Sequence, residues 1–254
     1  TVGIDVIAMN VNDVICNGAA PIAFVDYIAL EKTSEYMLKE IAKGLLEGAK
    51  QSDMPIVGGE TATLPDIIKG DGEGFDLAGT CLGVVKKDKI ISGKDIVPGD
   101  IVIGIESSGI HSNGLTLARK ALGEEDYSEL LIPTRIYVKQ ILDLIEKVKV
   151  KGMAHITGSG LLNLKRLKKD MGFDLELPEP PSIFKKIMDT GVEIEEMYKT
   201  FNMGTGFMVI VSKEEKDKAL EILNKYYNSY IIGKVIDQDI IKVNIKGLDK
   251  SFNL

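Results

Sequence analysis

From Ile4 to Ile15 the apolar residues Ile4, Ile7, Val11, Val14 and Ile15 recur at helical spacing, and Gly18 and Pro21 follow where a helix should stop. At about 100° per residue, Asp5 and Asn12 fall within roughly 20° of each other, with Asp13 about 80° from Asp5. The pattern therefore predicts a polar cluster turned away from the core. PIAFVDYIAL, rich in β-branched and aromatic residues, suits a strand that Asp26 interrupts. Met37, Leu38, Ile41, Ala42, Leu45, Leu46 and Ala49 form the stripe of a second helix over 34–50, with Ser34 able to cap it. The short apolar stretch MPIVGGE, a Gly- and Asp-rich loop over 66–76 and the strand-like LAGTCLGVVKK come next.

Pro98-Gly99-Asp100 is a turn signal ahead of the strand IVIGIE, so the boundary between two domains is expected within 89–94, giving 1–88 and 89–254. In the second part, helices are predicted near 114–122, 134–148, 160–170 and 213–227, and strands near 101–106, 206–212 and 231–236. Strands alternate with helices, which makes the fold class α/β in two domains.

Composition narrows the function. A net charge of −7 argues against a broad nucleic-acid face, which needs clustered Lys and Arg in excess. No apolar run reaches the roughly 18 residues of a membrane span, so a cytoplasmic protein is expected. Cys16 and Cys81 lie in apolar segments without a CxxC partner and are read as buried spacers in a reducing compartment.

Three segments carry candidate chemistry. IVGGETATLP sets Gly58 and Gly59 after an apolar strand, where bare backbone N–H groups can approach an anion, followed by Glu60 and Thr61; alone, it reads rather as a tight turn with Glu60 on the surface. SSGIHSNG places Ser107, Ser108, His111, Ser112 and Asn113 between a strand and a helix, a setting that can hold phosphate at the helix N-terminus. AHITGSGLLN repeats that logic with Thr157 and Gly158. The chain has two histidines, His111 and His155, and each adjoins one of these turns. A lone histidine is more often structural than catalytic, and position brings His111 nearer to catalysis than His155. Asp5, Asp13, Glu60 and Asp76 are candidates for Mg²⁺, which takes hard oxygens and usually one or two protein carboxylates. Asn202, between apolar residues in EMYKTFNMGTGF, sits at what reads as a bulged strand start.

Taken together, TVGIDVIAMNVNDVICNGAAPIAFVDYIAL, IVGGETATLP, FDLAGTCLGVVKKDKII, GDIVIGIESSGIHSNG, PTRIYVK, AHITGSGLLN and EEMYKTFNMGTG resemble AIR synthetases, in this order and almost from end to end. Thiamine monophosphate kinases, selenophosphate synthetases and the synthetase part of formylglycinamidine ribonucleotide amidotransferases resemble the acidic first segment without the whole set. The resemblance implies a homodimer whose N-terminal sheets pair into a barrel, with a site between the two domains for ATP, Mg²⁺ and a ribonucleotide. It implies nucleotide contacts from Asp5, Asn12, Asp13, Gly58, Gly59, Glu60 and Thr61, and Mg²⁺ on Asp13 and Glu60. Substrate would meet Ser112, His155, Thr157, Gly158 and Asn202, with His111 and Asn113 at the chemistry. The implied reaction is ATP-dependent closure of an imidazole ring in purine synthesis.

Three features depart from the family pattern. Its glycine-rich upstream segment and DGVGTK-like string do not stand before Thr1, so a phosphate-binding lysine is expected from a further N-terminal segment. Ser159 replaces a usual glycine, and TLPDII replaces EMPGMY. Another ATP-using enzyme of the same fold would keep the acidic cluster and lose the substrate loops; a non-catalytic binding subunit would lose the polar site residues as well.

Overall fold

A computed structural model describes residues 1–248 and 250–254 of the chain. Helix α1 (Val2–Ile15) buries Ile7, Val11 and Ile15 of the predicted stripe together with Ala8, and leaves Ile4 and Val14 half-buried. Strand β1 (Ala20–Leu30) follows, then α2 (Glu35–Ser52), whose first turn is capped by Ser34 Oγ accepting from the Met37 N–H at 3.3 Å. The two helices cross at backbone contact: a Cβ on Gly3 would lie 2.4 Å from the Ile41 carbonyl oxygen, and one on Gly44 2.9 Å from Gly3 Cα. Only glycine permits that approach.

Strand β2 (Ile56–Thr63) runs parallel to β1, with α2 as the crossover, and β3 (Phe75–Val84) pairs antiparallel on β1's other side, giving the order β2-β1-β3. The helices cover one face through Phe24 and Ile28. On the other face Val25 (40% exposed), Tyr27 (38%) and Leu82 (60%) stand in solvent. Gly58 and Gly59, expected just beyond a strand, lie within β2 opposite Val25 and Asp26. A Cβ on Gly59 would come within 2.6 Å of Asp26 Oδ1, so the glycine makes room for a neighbouring carboxylate. Asp76, expected in a loop, is exposed within β3 and pairs with Ala29.

The second unit is built on β4 (Ile101–Glu106), α3 (Leu115–Ala121), α4 (Tyr127–Leu130), α5 (Val138–Lys147), β5 (Val150–His155) and β6 (Gly172–Leu177). It continues through α6 (Ser182–Asp189), α7 (Ile194–Thr200), β7 (Thr205–Val211), α8 (Lys216–Leu223), β8 (Ser229–Ile236), β9 (Ile241–Ile245) and β10 (Lys250–Asn253). The strands form one sheet in the order β10-β9-β6-β8-β4-β7-β5. Every residue of β7 is buried, as expected of a central strand covered on both faces. One apolar cluster runs from α1 and α2 through α5 and α8 to one face of this sheet, and a second, carrying Phe184, Tyr198 and Phe201, fills the other. The helix predicted over 160–170 is a 3₁₀ segment, Gly160–Arg166, and the one predicted from 134 begins only at Val138.

Candidate active site

The polar side of α1 is where the second unit docks, which corrects the expectation that it faces away from the core. Asp5 Oδ1 accepts from the Thr134 N–H at 2.7 Å and from Ser112 Oγ at 3.0 Å, and Ser112 Oγ lies 2.8 Å from Thr134 Oγ1. Asn12 is fully enclosed: its Oδ1 accepts from the Tyr137 N–H at 3.0 Å and its Nδ2 donates to the Arg135 carbonyl at 2.9 Å. Residues 133–137 lie outside regular secondary structure, and the Arg135 carbonyl, which a helix over 134–148 would bond internally, goes to Asn12 instead. Asp13 lies at the edge of this contact, with 66% of its side chain exposed and Oδ1 3.0 Å from His155 Nδ1.

His111 lies in the loop after β4 with φ of 60° and is 2% exposed. Its Nε2 accepts from the Ser108 N–H at 3.2 Å, which leaves the proton on Nδ1, and that nitrogen has no partner among the described residues. Burial, reinforced by His155 and Arg135 nearby, holds the imidazole well below its ordinary value, so it is neutral at pH 7. A neutral ring with a free N–H is a hydrogen-bond donor. Gly158 packs beside Asn113, 3.0 Å from its Oδ1 to the position of an added Cβ, so the HSNG and HITGSG loops touch. Asn202 is buried and staples the neighbouring turn, donating to the Gly109 carbonyl at 2.9 Å and accepting from the Gly204 N–H at 2.9 Å. Met203 and Gly204, both at positive φ, make the irregular start of β7.

Asp5, Asp13, Ser112, Asn113, His155 and Gly158 are thus brought together where the units meet. Glu60 is not part of that cluster. It pairs with Tyr27 and stands on the sheet face away from the helices, exposed, with Oε1 accepting from the Thr61 N–H at 2.9 Å. Among the described residues no three His, Cys, Asp or Glu side chains converge as a ready metal cage. Mg²⁺ does not need one, since waters and phosphate oxygens complete its shell.

Sequence reasoning passed over Thr134, Arg135, Tyr137 and Asp26. The PTRIYVK string was the available signal for the first three, although its reading as a helix start concealed their role. Arg135 pairs with Glu106 at 2.7 Å and lies 4.3 Å over the Tyr227 ring. Asp26 faces Gly59 on one side and Gly79 on the other, and burial raises its carboxyl above the usual value. Both cysteines are only partly buried, contrary to expectation. Cys16 Sγ donates to the Asn12 carbonyl at 3.2 Å, and burial together with Asp13 pushes its thiol up to about 12.

Known proteins align with this arrangement along its full length. The family described as AIR synthase related protein, N-terminal domain, matches residues 1–85, and its C-terminal domain counterpart matches residues 97–246. A phosphoribosylformylglycinamidine cyclo-ligase of Pyrococcus horikoshii is 58% identical, over 98% of this chain and 76% of that protein. The enzyme of the same name from Thermococcus kodakarensis is 54% identical over the same shares. Among solved structures, a hydrogenase maturation protein HypE in complex with ATP superposes with a TM-score of 0.77 at 19% identity, covering 100% of this chain and 78% of that one, a likeness of fold alone. Matched across both domains and more than half identical to these enzymes, the chain belongs to the AIR synthase related family, on its phosphoribosylformylglycinamidine cyclo-ligase branch.

Proposed function

We propose that the chain uses ATP to convert formylglycinamidine ribonucleotide to aminoimidazole ribonucleotide, releasing ADP and phosphate. The observation carrying this reading is that the strings specific to the resemblance meet at α1: HSNG through Ser112, PTR through Thr134 and AHITG through His155, each bonded to an α1 side chain. The formyl amide oxygen takes the γ-phosphoryl group, an amidine nitrogen attacks the activated carbon, and phosphate leaves with that oxygen. An amide oxygen is otherwise a poor leaving group. The protein's contribution is positioning and charge stabilisation. Mg²⁺ would neutralise phosphate charge, with Asp13 and Glu60 as the proposed carboxylates; both are open to solvent and offer hard oxygens. Asp5, Gly58, Gly59 and Thr61 are proposed nucleotide contacts. Ser112, Thr157 and Gly158 are proposed to meet the ribonucleotide, Asn113 to act beside His111, and His111 to donate from its free Nδ1–H. Asn202 and Asn12 support this site by holding its loops and its helix.

The exposed apolar face of the β2-β1-β3 sheet supports a homodimer formed through that sheet, with 1–88 as the nucleotide-binding and dimerising part and 89–254 completing the site. No helix among the described residues is long and apolar enough to cross a membrane, and the free thiols suit a reducing cytoplasm. The test of the reaction is ADP release with formylglycinamidine ribonucleotide, run beside selenide and thiamine phosphate. Turnover with the ribonucleotide alone is expected; turnover only with either of the others would replace this reading by a sister activity of the fold.

A further inference from the structure

We infer that His155 is a positioning residue for Asp13, holding one carboxylate oxygen through its Nδ1 hydrogen so that the other is presented to Mg²⁺. This rests on the reading of Asp13 as a metal holder. The direction of every bond follows from the backbone. The Tyr137 N–H can only donate, so the Asn12 side-chain oxygen must face it at 3.0 Å. The amide nitrogen then faces the Arg135 carbonyl at 2.9 Å and His155 Nε2 at 3.4 Å. A proton on Nε2 would oppose donor to donor, so Nε2 accepts and the imidazole proton sits on Nδ1, 3.0 Å from Asp13 Oδ1.

Burial separates the roles of the two partners. The His155 side chain is 1% exposed with both ring nitrogens already bonded, whereas that of Asp13 is 66% exposed, so the carboxylate and not the ring is open to a ligand. Phe207 stacks on the ring at 6.2 Å between centroids and Tyr137 meets its edge at 6.5 Å, which fixes the ring plane. His155 ends β5 in one unit and Asp13 lies on α1 in the other, so docking of the units aims the carboxylate. This assigns His155 to the metal side of the site rather than to ribonucleotide contact.

In the native protein, nitrogen-resolved NMR of the imidazole should find the hydrogen on Nδ1; finding it on Nε2 overturns the inference without any variant. His155→Gln, whose amide reaches the Nε2 position, should weaken binding of Mg²⁺ with a non-hydrolysable ATP analogue by about 10- to 100-fold in calorimetry. His155→Asn, whose amide nitrogen takes the Nδ1 position, should stay within about 3-fold of native, and neither should alter ribonucleotide affinity beyond that. Native metal–nucleotide binding in His155→Gln, or a loss confined to the ribonucleotide, would overturn the proposal. Asp13→Asn separates the two levels: unchanged Mg²⁺ dependence there removes the underlying reading, while a loss there with none in His155→Gln removes this inference alone.

Discussion

The two polar surfaces expected to meet the nucleotide differ in how their hydrogen-bonding groups are spent. On α1, Asp5 Oδ1 and the whole Asn12 amide are engaged by backbone and side chains from residues 112–137, and only Asp13 is left largely open. On β2, an edge strand, residues 57–61 are exposed and alternate backbone groups face outward without a sheet partner. One surface is a joint that fixes geometry; the other is free to receive a ligand. Mutations should therefore separate into those that reduce stability and those that reduce binding.

The largest stability effect is expected from Asn12→Ala, which strands the Tyr137 N–H and Arg135 carbonyl in the interior. The loss should be about 2–5 kcal/mol, lowering the melting temperature by roughly 2–4 °C per kcal/mol in calorimetry. His111→Ala is expected to cut turnover about 100-fold with little change in ATP affinity, because its Nδ1–H is the proposed donor to the ribonucleotide; equal losses in both would make it a structural histidine. Glu60→Gln should weaken Mg²⁺–nucleotide binding about 10-fold, yet move stability by less than about 0.5 kcal/mol, since among the described residues its carboxylate is bonded only to the adjacent Thr61 N–H.

The smallest effect belongs to the pair behind the joint. Burial pushes the Glu106 carboxyl up, but hydrogen bonds from Arg135 and Asn228 outweigh it and hold the group below its ordinary 4.5. A depressed folded-state value stabilises above pH 4.5 and is lost as pH falls through the folded value. Glu106→Gln should therefore cost about 1 kcal/mol at neutral pH, after allowing for solvent access, and flatten the acid limb of urea-melt stability below that point. An unchanged acid limb would place the pH dependence elsewhere.

How much of this was legible in the sequence follows the range of the interactions. The stripes of α1 and α2, the Ser34 cap and the strands β1, β4 and β7 are local patterns, and they were readable within a residue or two. The fate of α1's polar side was not, because the groups that cover Asn12 lie 123 to 143 residues away. The same tie explains the late start of α5, where Thr134 and Tyr137 give their N–H groups to α1. Gly58 and Gly59 read as a turn because glycine is usual there; inside β2 Gly59 answers to Asp26 across the strand, a register effect that no window on the sequence contains. Convergence of Ser112, Thr134 and His155 on one helix became visible only with the fold, although the resemblance had already named their segments.

The contrast between the two surfaces is tested most directly by hydrogen exchange at single-residue resolution, with and without Mg²⁺ and a non-hydrolysable ATP analogue. Exchange should slow on ligand addition at residues 57–61, whose outward amides gain partners, and stay unchanged at Thr134 and Tyr137, whose amides are already bonded to α1. Slowing confined to Thr134 and Tyr137, with 57–61 unaffected, would contradict that contrast.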